Sequence, residues 1–229
     1  MRIEEKRQAF LELIPGWYNG YVHFTLINLC GVALLVLSFS MVREAPGWQW
    51  LFVPGVFVFA NCVEWWIHGG WMHHPTPIVM QLYLRHAAQH HIIYTDREMA
   101  FREPRELWHI LFPPLFFPFL LLLTSPVPVT LTIAVSPNLG WLYLFSAVAY
   151  YLVYEWFHTV HHWPRETWLG RSAFARLIRE HHTRHHEPRR MTRGNFNVSF
   201  PLADWMFGTT LPPLPGNPQE DPAAGEPVD

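Results

Sequence analysis

Residues 107–154 read LWHILFPPLFFPFLLLLTSPVPVTLTIAVSPNLGWLYLFSAVAYYLVY, 48 positions without one Asp, Glu, Lys or Arg. A helix needs about 20 predominantly apolar residues to cross the hydrocarbon core of a bilayer, so this stretch has room for two crossings. Their expected places are 107–124 and 139–157, joined by the proline-rich SPVPVTLTIAVSPN. Pro113, Pro114 and Pro118 are expected to kink or shorten the first of the pair, with a re-entrant hairpin as the alternative there. A soluble core that buries so long an uncharged run is the weaker reading.

Two more apolar stretches lie upstream. Residues 22–42 carry no formal charge, and 48–67 carry only Glu64. Four spans put the N-terminus, residues 68–106 and everything after 157 on one side. Fifteen of the sixteen Lys and Arg residues fall there, with Arg43 alone opposite, and the positive-inside rule makes that side cytoplasmic. The expected fold is therefore all-α: an integral membrane four-helix bundle under a cytoplasmic, histidine-rich helical cap. One domain covers 1–210, and the Pro-rich tail 211–229 is expected to be disordered. MRIEEKRQAFLELIPGW lacks a small-residue cleavage site after a short apolar core, so no cleaved signal peptide is expected. A net charge of -2 gives no reason to expect a nucleic-acid partner. Cys30 and Cys62 are the only cysteines, both in apolar stretches. Any metal must then be held by nitrogen and oxygen.

Nitrogen is abundant. Thirteen of the fifteen histidines fall in four groups: HGGWMHH (His68, His73, His74), HAAQHH (His86, His90, His91), HTVHH (His158, His161, His162) and HHTRHH (His181, His182, His185, His186). His23 and His109 stand alone and are expected to be amphipathic rings at the membrane interface. The first group begins where the second span ends and the third where the fourth ends, so all four share the cytoplasmic face. Residues three and four apart share a helix face. His182, His185 and His186 have that relation, as do His158, His161 and His162. His86 and His90 are four apart, with His91 adjacent, and His68 and His73 straddle a Gly pair whose backbone freedom can bring both rings to one centre. Residues 77–85 and 165–180 place apolar residues at helical spacing and are expected to lie on the headgroups. Glu64 and Glu155 precede His68 and His158 by four and three positions and are expected to orient those rings by hydrogen bonds.

Ten or more imidazoles exceed the shell of one ion, which holds about four to six ligands. Shared between two ions they leave a position open for an exogenous ligand. Such a site facing a membrane fits oxygen activation by iron, whereas zinc or manganese would fit hydrolysis.

These histidine boxes, followed by GNFNVSFPLADWMFGTTL, resemble the fatty acid hydroxylase/sterol desaturase superfamily, the membrane di-iron histidine-box oxygenases. The resemblance spans roughly residues 55–210 and includes a closing Asp-x-x-Phe-Gly-Thr, here Asp204 to Thr209. It implies ten metal ligands: His68, His73, His86, His90, His91, His158, His162, His182, His185 and His186. His74, His161 and His181 are extra, as supporting or replacement ligands, with His161 foremost. The second box is HxxxHH where HxxHH is common, and Ala203 stands where an aromatic is frequent. The resemblance further implies two iron ions (zinc as isolated), O2 as co-substrate, and hydroxylation or desaturation of a fatty acyl, sterol-like or isoprenoid membrane lipid. No dinucleotide glycine fingerprint and no fused cytochrome domain is present, so a separate ferredoxin or cytochrome-type donor with its reductase is expected. Two competing readings are a two-metal membrane lipid hydrolase and a metal transporter. The transporter is disfavoured because such proteins need ligands near the bilayer midplane, where the spans offer only Asn28, Asn61 and the cysteines.

Overall fold

The computed structural model describes residues 3–213, and nearly all of the tail expected to be disordered lies outside them. α1 (Ile3–Glu12) leads into α2 (Gly20–Met41). Asn19 caps α2, its side chain accepting from the backbone N–H groups of Tyr21 and Val22 at 3.0 and 3.2 Å. α3 (Phe52–Ile67) follows a single helical turn, Gly47–Trp50, and runs on into the π-helical residues His68–Met72. α4 (Met80–Arg85) likewise ends in a π-helical run, His86–His90. A 3-10 turn over Pro104–His109 precedes α5 (Phe116–Thr124), α6 (Pro126–Ala134) and α7 (Pro137–His161). α8 (Ala173–His185) and α9 (Leu202–Phe207) complete the order. No strand occurs among the described residues.

Prolines decide where the long uncharged run becomes helix, and they move the third crossing. Instead of 107–124, the apolar helix covers Phe116–Ala134, 19 residues. Pro113 and Pro114 keep the chain before it out of helical geometry, since proline lacks an N–H and restricts the residue before it. Pro126 sits at the first position of α6, where no N–H is needed, and Ser125 keeps helical angles. α5 and α6 therefore continue each other, and the segment expected to be a connection is half of a helix. The surface helix expected over 165–180 also starts late. Ser172 caps it, Oγ accepting from the Ala175 N–H at 3.1 Å, and 165–172 form turns.

Three helices are long and apolar enough to cross a membrane: Gly20–Met41, Gly47–Met72 and Phe116–Ala134. α7, at 25 residues, is set apart by its tyrosines and Glu155, and it packs against α2, α3 and α6. Ile27 of α2, Phe117 of α5 and Val148, Tyr151 and Leu152 of α7 form a core between those three helices. At Gly31 a Cβ would lie 2.7 Å from Leu152 Cδ2, so only glycine lets α2 approach α7 this closely. The outer faces are apolar and open, with Leu29 63%, Val36 65% and Ile133 81% exposed. Lipid can cover such a surface; water would not favour it. α1 is pinned across the cap end by Arg7, which donates from Nε to Glu106 Oε1 at 2.8 Å and from Nη2 to Oε2.

Candidate metal centre

At α-helical geometry, residues five apart diverge around the axis. The first two boxes begin in π-helical turns, which close i to i+5 hydrogen bonds and often mark functional sites. Each box thereby sends two histidines five apart to one centre, His68 with His73 and His86 with His91. This differs from the sequence expectation, which paired His86 with His90. Gly69 contributes in another way: a Cβ there would meet the Phe196 ring at 3.0 Å, so the bare backbone admits that ring.

Nine buried histidines form two groups. His68, His73, His86, His91 and His185 make the first; His90, His162, His182 and His186 make the second. Within each, one nitrogen per ring lies within 4.8 Å of all the others. In the first, the Nε2 atoms of His68 and His86 are 2.7 Å apart, those of His86 and His91 3.0 Å, and those of His73 and His185 3.1 Å. In the second, His186 Nε2 lies 3.2 Å from His90 Nε2 and 3.0 Å from His182 Nε2. His158 points its Nε2 at His90, 3.3 Å away. The groups abut, with the rings of His91 and His186 stacked at 4.2 Å.

Backbone carbonyls set the ring directions. His90 Nδ1 faces the carbonyl of His109 at 2.9 Å, His162 Nδ1 that of Met99 at 2.7 Å, and His186 Nδ1 that of Tyr94 at 2.7 Å. His185 Nδ1 faces the Gly194 carbonyl at 2.9 Å, and His68 Nδ1 that of Phe196. A carbonyl accepts only, so each of these Nδ1 atoms carries the proton and each Nε2 presents a lone pair. Two such lone pairs, on His90 and His186, confront each other at 3.2 Å. They repel unless a cation lies between them. Metal–imidazole bonds of about 2.1 Å separate neighbouring ligand nitrogens by about 3.0 to 3.4 Å, which matches the spacings above apart from the shorter 2.7 Å of His68 and His86. The donor set fits a metal.

Charge state agrees. Burial, followed by the neighbouring imidazoles, holds His86, His90, His91, His162, His182 and His186 well below the usual histidine value. Burial takes His73 to about 2 and His185 to about 4. All are neutral at pH 7, the form in which imidazole binds metal.

The carboxylates act one step further out than expected. Glu64 bonds no histidine. Its Oε1 accepts from the backbone N–H groups of Val198 and Ser199, and its Oε2 from the hydroxyls of Tyr150 and Ser199. Asp204 holds the preceding part of the same strap, accepting from the N–H groups of Phe196 and Asn197 at 3.0 and 2.8 Å. The carbonyls of Gly194, Phe196 and Val198 meet His185, His68 and His161, with Asn195 between the first two in the left-handed region at φ 53°. Glu155 accepts from Tyr151 Oη at 2.8 Å and from the Phe112 N–H at 3.2 Å, again not from His158. The expected carboxylate–histidine pairs are replaced by carboxylates that grip backbone and hydroxyls, and at His68 the Phe196 carbonyl occupies Nδ1 instead.

The extra histidines separate. His161 turns Nε2 to the Val198 carbonyl at 2.8 Å and stacks on His182 at 4.6 Å. His181 pairs with Asp204 at 3.0 Å. His74 is exposed, bonded only to the Gly70 carbonyl of its own turn. Neither lone histidine is an interfacial ring. His23 is buried against Tyr18 Oη at 2.9 Å, and His109 is buried with its carbonyl on His90. Sequence reasoning missed Arg179 and the tether role of Asn61. Arg179 donates to the carbonyls of His161, Val160 and Trp163, closing the end of α7 that carries His158, His161 and His162. Asn61 links α3 to Phe200 and Ala203. A buried arginine in a basic amphipathic helix has no sequence signature of its own.

The profile of one protein family, described as fatty acid hydroxylase, matches residues 52–209, a stretch that contains every histidine of both groups. No curated protein and no solved structure matches the chain.

Proposed function

The chain belongs to the fatty acid hydroxylase family, and from that premise we propose that it oxidises an aliphatic C–H bond of a membrane lipid with O2 at two histidine-held iron ions. Family membership makes it an oxidoreductase, and the two buried histidine groups, each able to hold a metal ion, support a histidine-held metal site. The observation that carries the finer reading is the pair of adjacent all-nitrogen groups, each with four or five lone pairs converging.

An alkyl C–H is not acidic, so no side-chain base can open it; bound iron supplies the capacity to activate O2. In hydroxylation one oxygen atom enters the C–H bond and the other leaves as water, with two electrons and two protons from outside. In desaturation two hydrogens leave and both oxygens end as water. His68, His73, His86, His91 and His185 hold one ion, and His90, His162, His182 and His186 hold the other, with His158 as a further ligand beside His90. The carbonyls of Tyr94, Met99, His109, Gly194 and Phe196 keep the Nε2 lone pairs aimed inward. The enclosing cap keeps water from the reacting carbon. Electrons come from a separate ferredoxin or cytochrome-type donor with its reductase. The fifteen-to-one placement of Lys and Arg puts the cap and both termini in the cytoplasm, with α7 as the fourth crossing.

Lipid mass spectrometry of cells with and without the protein, grown under 18O2, tests the reading. One 18O in a lipid that depends on the protein supports hydroxylation, and a new double bond supports desaturation. Lipid cleavage without O2 would instead establish a hydrolase. Anaerobically purified protein from iron-replete cells should carry two iron ions per chain.

A further inference from the structure

A cavity of about 180 Å3 opens beside the metal site, with His86 of the first group and His158 on its wall. Its inner lining is apolar and aromatic, including Phe112, Phe116 and Tyr154. Its other end carries Gln81, Arg85 and His109. Arg85 is the last residue of α4, adjacent in sequence to His86. Its guanidinium donates from Nη2 to the Trp108 carbonyl at 2.5 Å and lies over the Trp108 ring, 5.0 Å from its centroid. Among the described residues it has no ion pair. Its charge is half-buried, a cost normally offset by a carboxylate partner. His109 is also on the cavity wall, 6% exposed, and neither ring nitrogen makes a hydrogen bond of normal geometry.

A partly buried arginine without an ion pair, beside a buried histidine at one end of an apolar cavity, describes a receptor for an anion. Building on the proposed oxidation, we propose that the substrate is an acidic lipid whose anionic oxygens pair with Arg85, so that oxidation falls within a few carbons of the acidic end. Arg85 has the planar fork that carboxylate and phosphate oxygens match. Size sets the second half of the inference. Pockets that enclose a drug-sized ligand measure about 300–1,000 Å3, so one of about 180 Å3 takes an acid group and the first carbons of a chain. With the anion seated on Arg85, the atoms that reach the wall of His86 and His158 are these first carbons. The distal chain has no room inside and extends along the apolar exterior. Both carboxylate and phosphate oxygens satisfy the chemistry, and the test separates them.

Equilibrium binding to the full-length, detergent-solubilised protein as purified is measured with palmitate, 1-palmitoyl lysophosphatidate and methyl palmitate. Wild type is expected to bind one of the two anions at least about tenfold more tightly than the neutral ester. Preference for palmitate assigns the carboxylate, and preference for the lysophosphatidate assigns the phosphate. Arg85→Gln should bring anion and ester within about twofold of each other. Arg85→Lys should keep part of the preference, and Arg189→Gln, an exposed arginine, should keep all of it. Equal binding of anion and ester by wild type, or an undiminished preference in Arg85→Gln, overturns the proposal. Arg85→Lys keeps the test decisive if Arg85→Gln does not fold, because loss of charge and loss of fork are then read separately. The position of oxygen or unsaturation in the product gives an independent readout: the first few carbons support the proposal, and the methyl end overturns it. Binding needs no turnover, so failure of the oxidation reading leaves this result legible by itself.

Discussion

The two histidine groups look alike as ligand sets and differ in what holds them. The first leans on the C-terminal strap, whose Gly194 and Phe196 carbonyls face His185 and His68. That strap is in turn gripped by Glu64 and Asp204. The second leans on the connection between α4 and α5, where Tyr94, Met99 and His109 offer their carbonyls to His186, His162 and His90. Arg7 and Glu106 pin that connection to α1. One histidine group is thus supported by the segment around Gly194 to Ser199 and the other by a mid-chain segment braced from α1. Two similar sites on different scaffolds can be loosened separately.

Removing a ligand should have the largest effect. His185→Ala is expected to empty the first group and His186→Ala the second, each abolishing oxidation and lowering iron from two ions per chain, as elemental analysis would read. Full turnover with metal retained in His185→Ala would remove it from the ligand set.

Glu106→Ala comes next. It leaves Arg7, 1% exposed, with only the longer 3.6 Å contact to the exposed Glu98 carboxylate and is expected to cost about 3–5 kcal/mol of stability, measured by denaturant unfolding. The second group should lose metal before the first. Loss in the opposite order would break the comparison.

Glu64→Ala releases the strap and acts only through the backbone that aims His68 and His161. Oxidation should fall about 10–100-fold, with the first group now the weaker, and 57Fe Mössbauer spectra should show one iron environment altered. An unchanged spectrum with lost activity would mean that Glu64 serves the reaction in another way.

Acid should unfold the metal-free protein in a defined window. His185 titrates near 4 in the fold because burial disfavours its charged form, against 6.5 when free. The unfolded chain binds the extra proton, so this stability is complete above pH 6.5 and is lost as pH falls from 6.5 toward 4. Circular dichroism of chelator-treated protein should show the loss there, and metal should shift it downward. A midpoint independent of pH over that interval would contradict the neutral, buried histidines. The smallest effect belongs to His74→Ala, since that ring is exposed and tied only to its own turn. Metal content and turnover should remain unchanged.

The four histidine boxes were legible because clustered imidazoles and the absence of thiolates are matters of residue type. Which histidine joins which group was not. A face rule of three and four assumes α-helical geometry, whereas His86–His90 is π-helical and sends His91, not His90, to the centre of His86. The apolar spans were legible as composition, but the third began at Phe116 because a proline ends one helix and opens another with the same letter. Glu64 was rightly marked as a carboxylate with a task, yet its partner was backbone 134 residues away.

By itself, the sequence determined that this chain is helical, with apolar runs long enough to cross a membrane and thiolate-free histidine clusters able to hold metal, because apolar runs and imidazoles carry those properties wherever they fold. Only the tertiary structure decided how the histidines divide between two centres, which nitrogen each presents, and that Arg85 stands unpaired in the cavity beside them. Those outcomes depend on where carbonyl oxygens and empty volume lie. Every residue has the same carbonyl, so its direction is a consequence of backbone angles and distant packing that no residue letter records.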